Sequence, residues 1–227
     1  MFQQGFRIAP RANFNTSIFG YIMHQMTAKA GIKKYGKAAK AALINEFAQL
    51  EALDVYKLLD TATPTKLQQA GALQAINLIK AKRDGNLKRR TVAGGRLQRL
   101  LYNRSMTASP TASTDAQMLL IMIDAHINRF IGTADVAGAY LKAYMKDYVL
   151  IKFAGASVDI FCAMNPRHSR FEVVKSGGKV LYVRLVRAIY GCVKLGLLWY
   201  DLFHSHLAKR GFVLNPYNSC IANCMIK

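Results

Sequence analysis

The chain has 227 residues, 52% of them hydrophobic and 19% charged, which is enough apolar material for a core and excludes a disordered charged tail. Its 32 Lys and Arg against 12 Asp and Glu give a formal net charge of +20. That field favours a polyanionic partner. The longest apolar run, Met118 to Ile123, falls far short of the ~20 residues a bilayer span needs. The four cysteines (Cys162, Cys192, Cys220, Cys224) contain no CxxC pair, which favours a reducing compartment.

Residues 1–34 show no clear periodicity and read as a basic lead-in, with no acid before Glu46. Within it, Gly31 to Lys37 has the spacing of a phosphate loop, but Ala38 stands where a Ser or Thr hydroxyl is needed. Residues 37–52 predict a helix. Ala41, Ile44 and Ala48, and beside them Leu43, Phe47 and Leu50, recur at three- and four-residue spacing. Thr63-Pro64 predicts a second, short helix with proline in its first turn. Residues 76–82 and 87–92 predict two strands joined at Asp84-Gly85, and this hairpin carries Lys80, Lys82, Arg83, Lys88, Arg89 and Arg90.

Ser109-Pro110-Thr111 breaks the chain, and Ser113 caps a helix expected to run to His126 with Met118, Leu119, Met122 and Ile123 buried. Phe130–Val136 predicts a short strand that delivers Asp135 near its end, and 148–153 predicts another. Residues 171–174 and 180–186 predict a second hairpin around Ser176-Gly177-Gly178. Residues 197–210 predict an amphipathic helix stopped by Gly211, with a strand beginning at Phe212. Strands arriving as hairpins among helices predict an α+β fold with an antiparallel sheet. His204, His206, Cys220 and Cys224 are zinc-ligand types, but His204 and His206 are two apart on a helix and face different sides.

A lone Asp at a strand end is ordinarily a turn or cap residue. Here its setting is Thr133-Ala134-Asp135-Val136-Ala137-Gly138-Ala139-Tyr140. Later comes Arg187-Ala188-Ile189-Tyr190-Gly191-Cys192-Val193-Lys194, followed by Trp199-Tyr200. In that order the two stretches resemble the palm of a copia-type retrotransposon reverse transcriptase. Lys88 to Gly95 resembles that family's fingers segment, and Ser109-Pro110-Thr111-Ala112-Ser113 its connecting link. The likeness runs from about Tyr35 to Ala222. It departs at Cys192, Val193 and Leu195-Gly196.

The resemblance implies fingers over 35–112 and an incomplete palm over 113–227. It makes Asp135 the catalytic carboxylate and ligand of Mg²⁺, and Tyr140 the gate against a ribose 2′-hydroxyl. Val136, Arg90, Lys82 and Gly191 would serve the nucleotide triphosphate. Lys88, Arg89, Tyr190 and Lys194 would hold RNA template and DNA primer. Its activity would be RNA-directed DNA synthesis without a membrane, beside the remainder of a Pol polyprotein. The compartment would be intracellular, either cytoplasm (in a virus-like particle) or nucleus. The family's further carboxylates come from an Asp-Asp pair, and none occurs in the 227 residues, whose last acid is Asp201. The expectation is a fragment ending before that pair, which binds nucleic acid and polymerises little or not at all. The alternatives are a non-catalytic basic nucleic-acid-binding module and a decayed gene product.

Overall fold

A computed structural model describes residues 25–60, 63–82 and 84–225. The lead-in through residue 24, and Arg83 in the first hairpin, lie outside the described residues. Strand β1 (Met26–Thr27) leads into helix α1 (Ala28–Ala52), whose N-cap Thr27 hydroxyl accepts from the Ala30 N–H. Gly36, at φ 54°, divides α1 into two halves. The helix expected over 37–52 is the second half, whereas 28–34, assigned to the lead-in, is also helical. Leu43, Phe47 and Leu50 are buried as their spacing predicts. Of the neighbouring set, Ala41 and Ala48 are exposed and Ile44 is half-buried.

After β2 (Tyr56–Leu58) comes α2 (Lys66–Ala70), which starts later than Thr63-Pro64 because Thr65 and Gln68 cap each other's backbone N–H. Strands β3 (Leu73–Ala81) and β4 (Leu87–Ala93) form the expected hairpin. Its turn is tied by Asp84, whose carboxylate accepts from the Asn86 N–H at 3.0 Å and the Asn86 side-chain amide at 3.0 Å. Beyond it lie helix α3 (Thr114–His126), strand β5 (Leu150–Ala154) and helix α4 (Ala156–Met164). Strands β6 (Glu172–Lys175) and β7 (Gly178–Leu185) make the second hairpin. Helix α5 (Leu195–Ala208) and a small ribbon of β8 (Val213–Leu214) with β9 (Ala222–Asn223) complete the chain.

The class is α+β, but the seven-stranded sheet is mixed rather than antiparallel throughout. It runs β1-β3-β5-β7-β2, with β4 on β3 and β6 on β7. The parallel pair is β3 with β5, Leu73 opposite Ile151. Helices α1 and α4 cover one face, and Phe47, Phe153 and Phe161 meet at the centre with ring centroids 5.1–5.6 Å apart. Beside them, Asn77 and Thr91 are buried yet satisfied. The Thr91 hydroxyl donates to Asn77, whose amide donates to Ser157.

Two further expectations fail. Helix α3 forms, with Ser113 accepting from the Ala116 N–H, but buries none of its residues. Met118, Leu119, Met122 and Ile123 are 44–68% exposed. The strand over Phe130–Val136 does not form either, and the segment is irregular and exposed. A strand needs a hydrogen-bonding neighbour, and among the described residues no strand pairs with this one.

Candidate functional site

Alternation along β4 decides which basic side chains face which way. Thr91 and Ala93 turn towards α1 and α4 and are buried. Arg89 shares that side. Its Nε lies 3.8 Å from Glu46 of α1 and has no hydrogen-bond partner, while the Thr91 N–H donates to Glu46 at 3.1 Å. Burial raises the Glu46 carboxyl above the ordinary range, against the lowering by the Thr91 N–H, Arg89 and Arg90. Lys88, Arg90 and Val92 occupy the opposite face, and Lys88 is exposed.

On that open face the Arg90 guanidinium lies 3.9 Å from the centre of the Tyr190 ring. The Tyr190 ring stands edge-on to Tyr140 at 5.4 Å and 88°. Such a cation–ring pairing is worth about 0.5–2 kcal/mol and pre-orients the guanidinium. The backbone locks this row in place. The Ala93 N–H donates to the Tyr190 carbonyl at 2.7 Å. Gly191 follows at φ 89°, so close to β4 that a β-carbon there would collide with the Ala93 carbonyl and Val92. Tyr140 belongs to a short 3-10 turn over Ala139–Lys142, entered through Gly138 at φ 61°.

Thus Arg90, Tyr140, Tyr190 and Gly191 come together, with Lys88 on the same face as Arg90, while Arg89 lies on the other side of β4. Asp135 is exposed, not at a strand end, and Val136 beside it is 36% exposed. Lys82 lies exposed at the hairpin tip. Lys194 is engaged locally. Its ammonium is 2.8 Å from Asp147 and 4.1 Å from the centre of the Tyr102 ring, and the Tyr102 hydroxyl also donates to Asp147 at 2.9 Å.

The hydrogen bond from Lys194 holds the Asp147 carboxyl below its usual range, opposed by burial and helped by Tyr102. A carboxyl lowered in the folded state stabilises above its unfolded value of ~3.9, and that contribution fades as pH falls through the lower folded value. Asp147→Asn is therefore expected to lower the melting temperature at pH 7 and to lessen its fall as the pH drops below the ordinary carboxylate value of ~3.9. Melting curves across that range check this; parallel acid curves for the two proteins would contradict it.

The cleft beside Gly191 was not foreseen from the sequence. It has a volume of about 530 Å³ and is lined by Ala93, Gly95, Arg96, Arg99, Gly191, Cys192 and Val193. Beside it, the Val193 N–H donates to the buried Gln98 side chain at 3.1 Å. Arg96 and Arg99 are exposed at its rim. The available signal was a pair of arginines three apart, directly after Gly94-Gly95.

Among the described residues no three His, Cys, Asp or Glu side chains are grouped to hold a metal. Asp135 by itself would leave most of the coordination to water. Also among the described residues, no helix is long and apolar enough to cross a membrane. No family model matches the chain, and no curated protein or solved structure matches it.

Proposed function

We propose that this chain is the nucleotide- and template-primer-binding part of a copia-type retrotransposon reverse transcriptase, carrying the first catalytic carboxylate without the Asp-Asp pair. The observation that carries the reading is the row of Arg90, Tyr190 and Tyr140 beside Gly191. Three stretches far apart in sequence supply it, the same three that resemble the family. A guanidinium fork suits phosphate oxygens, and two tyrosine rings offer a base or sugar a flat, rigid wall. Arg96 and Arg99 add positive charge at the cleft beside Gly191. The charge of +20 fits RNA template and DNA primer as partners.

A second reading, a basic nucleic-acid-binding module without catalysis, is favoured by the exposed position of Asp135 outside any strand. The two readings share the binding surface and differ in synthesis.

The test is a titration of an RNA–DNA template-primer across salt concentrations. Lys88→Ala with Arg90→Ala is expected to weaken binding about tenfold near 0.1 M salt. The slope of log affinity on log salt should become shallower by roughly 0.9 for each phosphate the variant no longer neutralises. Arg89→Ala is expected to move thermal stability more than that slope, because its side chain is committed to Glu46. No binding at low salt, or unchanged affinity after the paired substitution, would sink the reading.

A further inference from the structure

We infer that the outer face of the first part of α1 is a second nucleic-acid-binding surface, separate from the Arg90 row and directed at the phosphate backbone. Lys29, Lys33 and Lys34 before the break at Gly36, and Lys37 and Lys40 just after it, are all exposed. Residues 25–45 contain no Asp or Glu. None of the salt bridges among the described residues involves any of these five lysines. Lys34 alone has a ring beneath it, Tyr35 at 5.3 Å.

The arrangement disfavours the helix that bears it. Cations near a helix N-terminus oppose the macrodipole. Lys29 and Lys33 are one turn apart, and Lys37 and Lys40 are three apart, so like charges repel along each half. No acid in the first turn relieves this. A polyanion laid along α1 would reverse each of these costs. A helix rises about 5.4 Å per turn, and a nucleic-acid strand presents a phosphate about every 3.4 Å of axis. Each lysine therefore has a phosphate within reach.

The other side of the helix excludes a lipid surface as the favoured partner. Ala28, Gly31 and Ala39 are buried, and Ile32 and Tyr35 pack on the core. The apolar side that an interfacial helix would insert into a bilayer is already used. Glu46, on the second half of α1, contacts the β4 side that carries Arg89 and Thr91, whereas Arg90 and Lys88 lie on the far face of that hairpin. The stripe and the row are thus different surfaces. Charge placement alone singles out the stripe, independently of the polymerase reading.

The test compares two variants of equal net charge: Lys29, Lys33, Lys37 and Lys40 to Gln, and, as control, the exposed Lys57, Lys66, Arg167 and Lys209 to Gln. The probes are a defined duplex and a single-stranded oligonucleotide, titrated across salt. The stripe variant is expected to lose about tenfold in affinity near 0.1 M salt and to show a slope shallower by roughly 3. The control should lose much less. Helical circular dichroism of the stripe variant is expected to match or exceed that of the parent. Equal losses in both variants would overturn the inference, as would unchanged binding in the stripe variant. Tight binding to anionic vesicles without nucleic-acid binding would overturn it in favour of a membrane surface. Weaker binding by the Lys88 and Arg90 variant with no change in the stripe variant would leave the first site standing and remove this one.

Discussion

Replacing Gly191 with alanine is expected to lower the melting temperature by several degrees and to remove template-primer binding at the Arg90 row. Two penalties act together. At φ 89° the residue sits in the left-handed region, where a side chain costs about 1–3 kcal/mol. The added β-carbon would also overlap the Ala93 carbonyl and the Val92 side chain, and overpacking costs typically about 1–3 kcal/mol. At roughly 2–4 °C per kcal/mol for a domain of this size, the shift is easily measured. Relieving the overlap must move Tyr190-Gly191 away from β4, which breaks the Ala93 to Tyr190 hydrogen bond and separates the ring from Arg90. Gly85→Ala is the control, since it shares the positive φ, at 81°, but has open space around it. It should cost some stability and leave binding intact. If Gly191→Ala bound template-primer like the parent, the row would not be the binding site.

Local pattern made part of this arrangement legible. Leu43, Phe47 and Leu50 declare a buried helix face, and Asp84-Gly85 declares a tight turn between strands that do pair. The row itself was not legible in local pattern, because nothing in residues 88–95 reveals that Tyr190 will cover Arg90. What failed depended on partners distant in sequence. Periodicity marks Met118, Leu119, Met122 and Ile123 as an apolar face but says nothing of what covers it. A β-rich run such as Phe130–Val136 becomes a strand only if a neighbour accepts its hydrogen bonds. The engagement of Lys194 by Asp147 and of Arg89 by Glu46 was equally invisible, since each carboxylate comes from a separate element. The interruption at Gly36 hid the first half of α1, because the apolar repeat restarts across it.

Joined to a copia-type segment bearing an Asp-Asp hairpin, the 227 residues are expected to synthesise DNA on an RNA template; by themselves they should give none. A hairpin beside Phe130–Val136 would also offer that run the strand neighbour it lacks. In the joined protein, Asp135→Ala should reduce synthesis at least about a hundredfold, the scale of removing one pre-organised electrostatic group. The resemblance makes it the one catalytic carboxylate supplied by this chain. Tyr140→Val should leave synthesis running but admit ribonucleotides, because the ring edge-on to Tyr190 is gone and the space for a 2′-hydroxyl opens. Primer extension with each nucleotide class reads both outcomes. Full activity after Asp135→Ala, unchanged sugar selection after Tyr140→Val, or robust synthesis by the 227 residues alone would each contradict the carry-over from the family.

The uncovered apolar side of α3, continued by Phe130 and Ile131, gives the protein an unusual colloidal character. Two molecules approaching through these surfaces gain from apolar association, while their charge of +20 drives them apart. Salt weakens only the second force, since the screening length falls from about 10 Å at 0.1 M to about 3 Å at 1 M. Concentrated salt therefore brings the molecules within reach of one another. Low ionic strength keeps this chain dispersed, and raising it is a step towards precipitation.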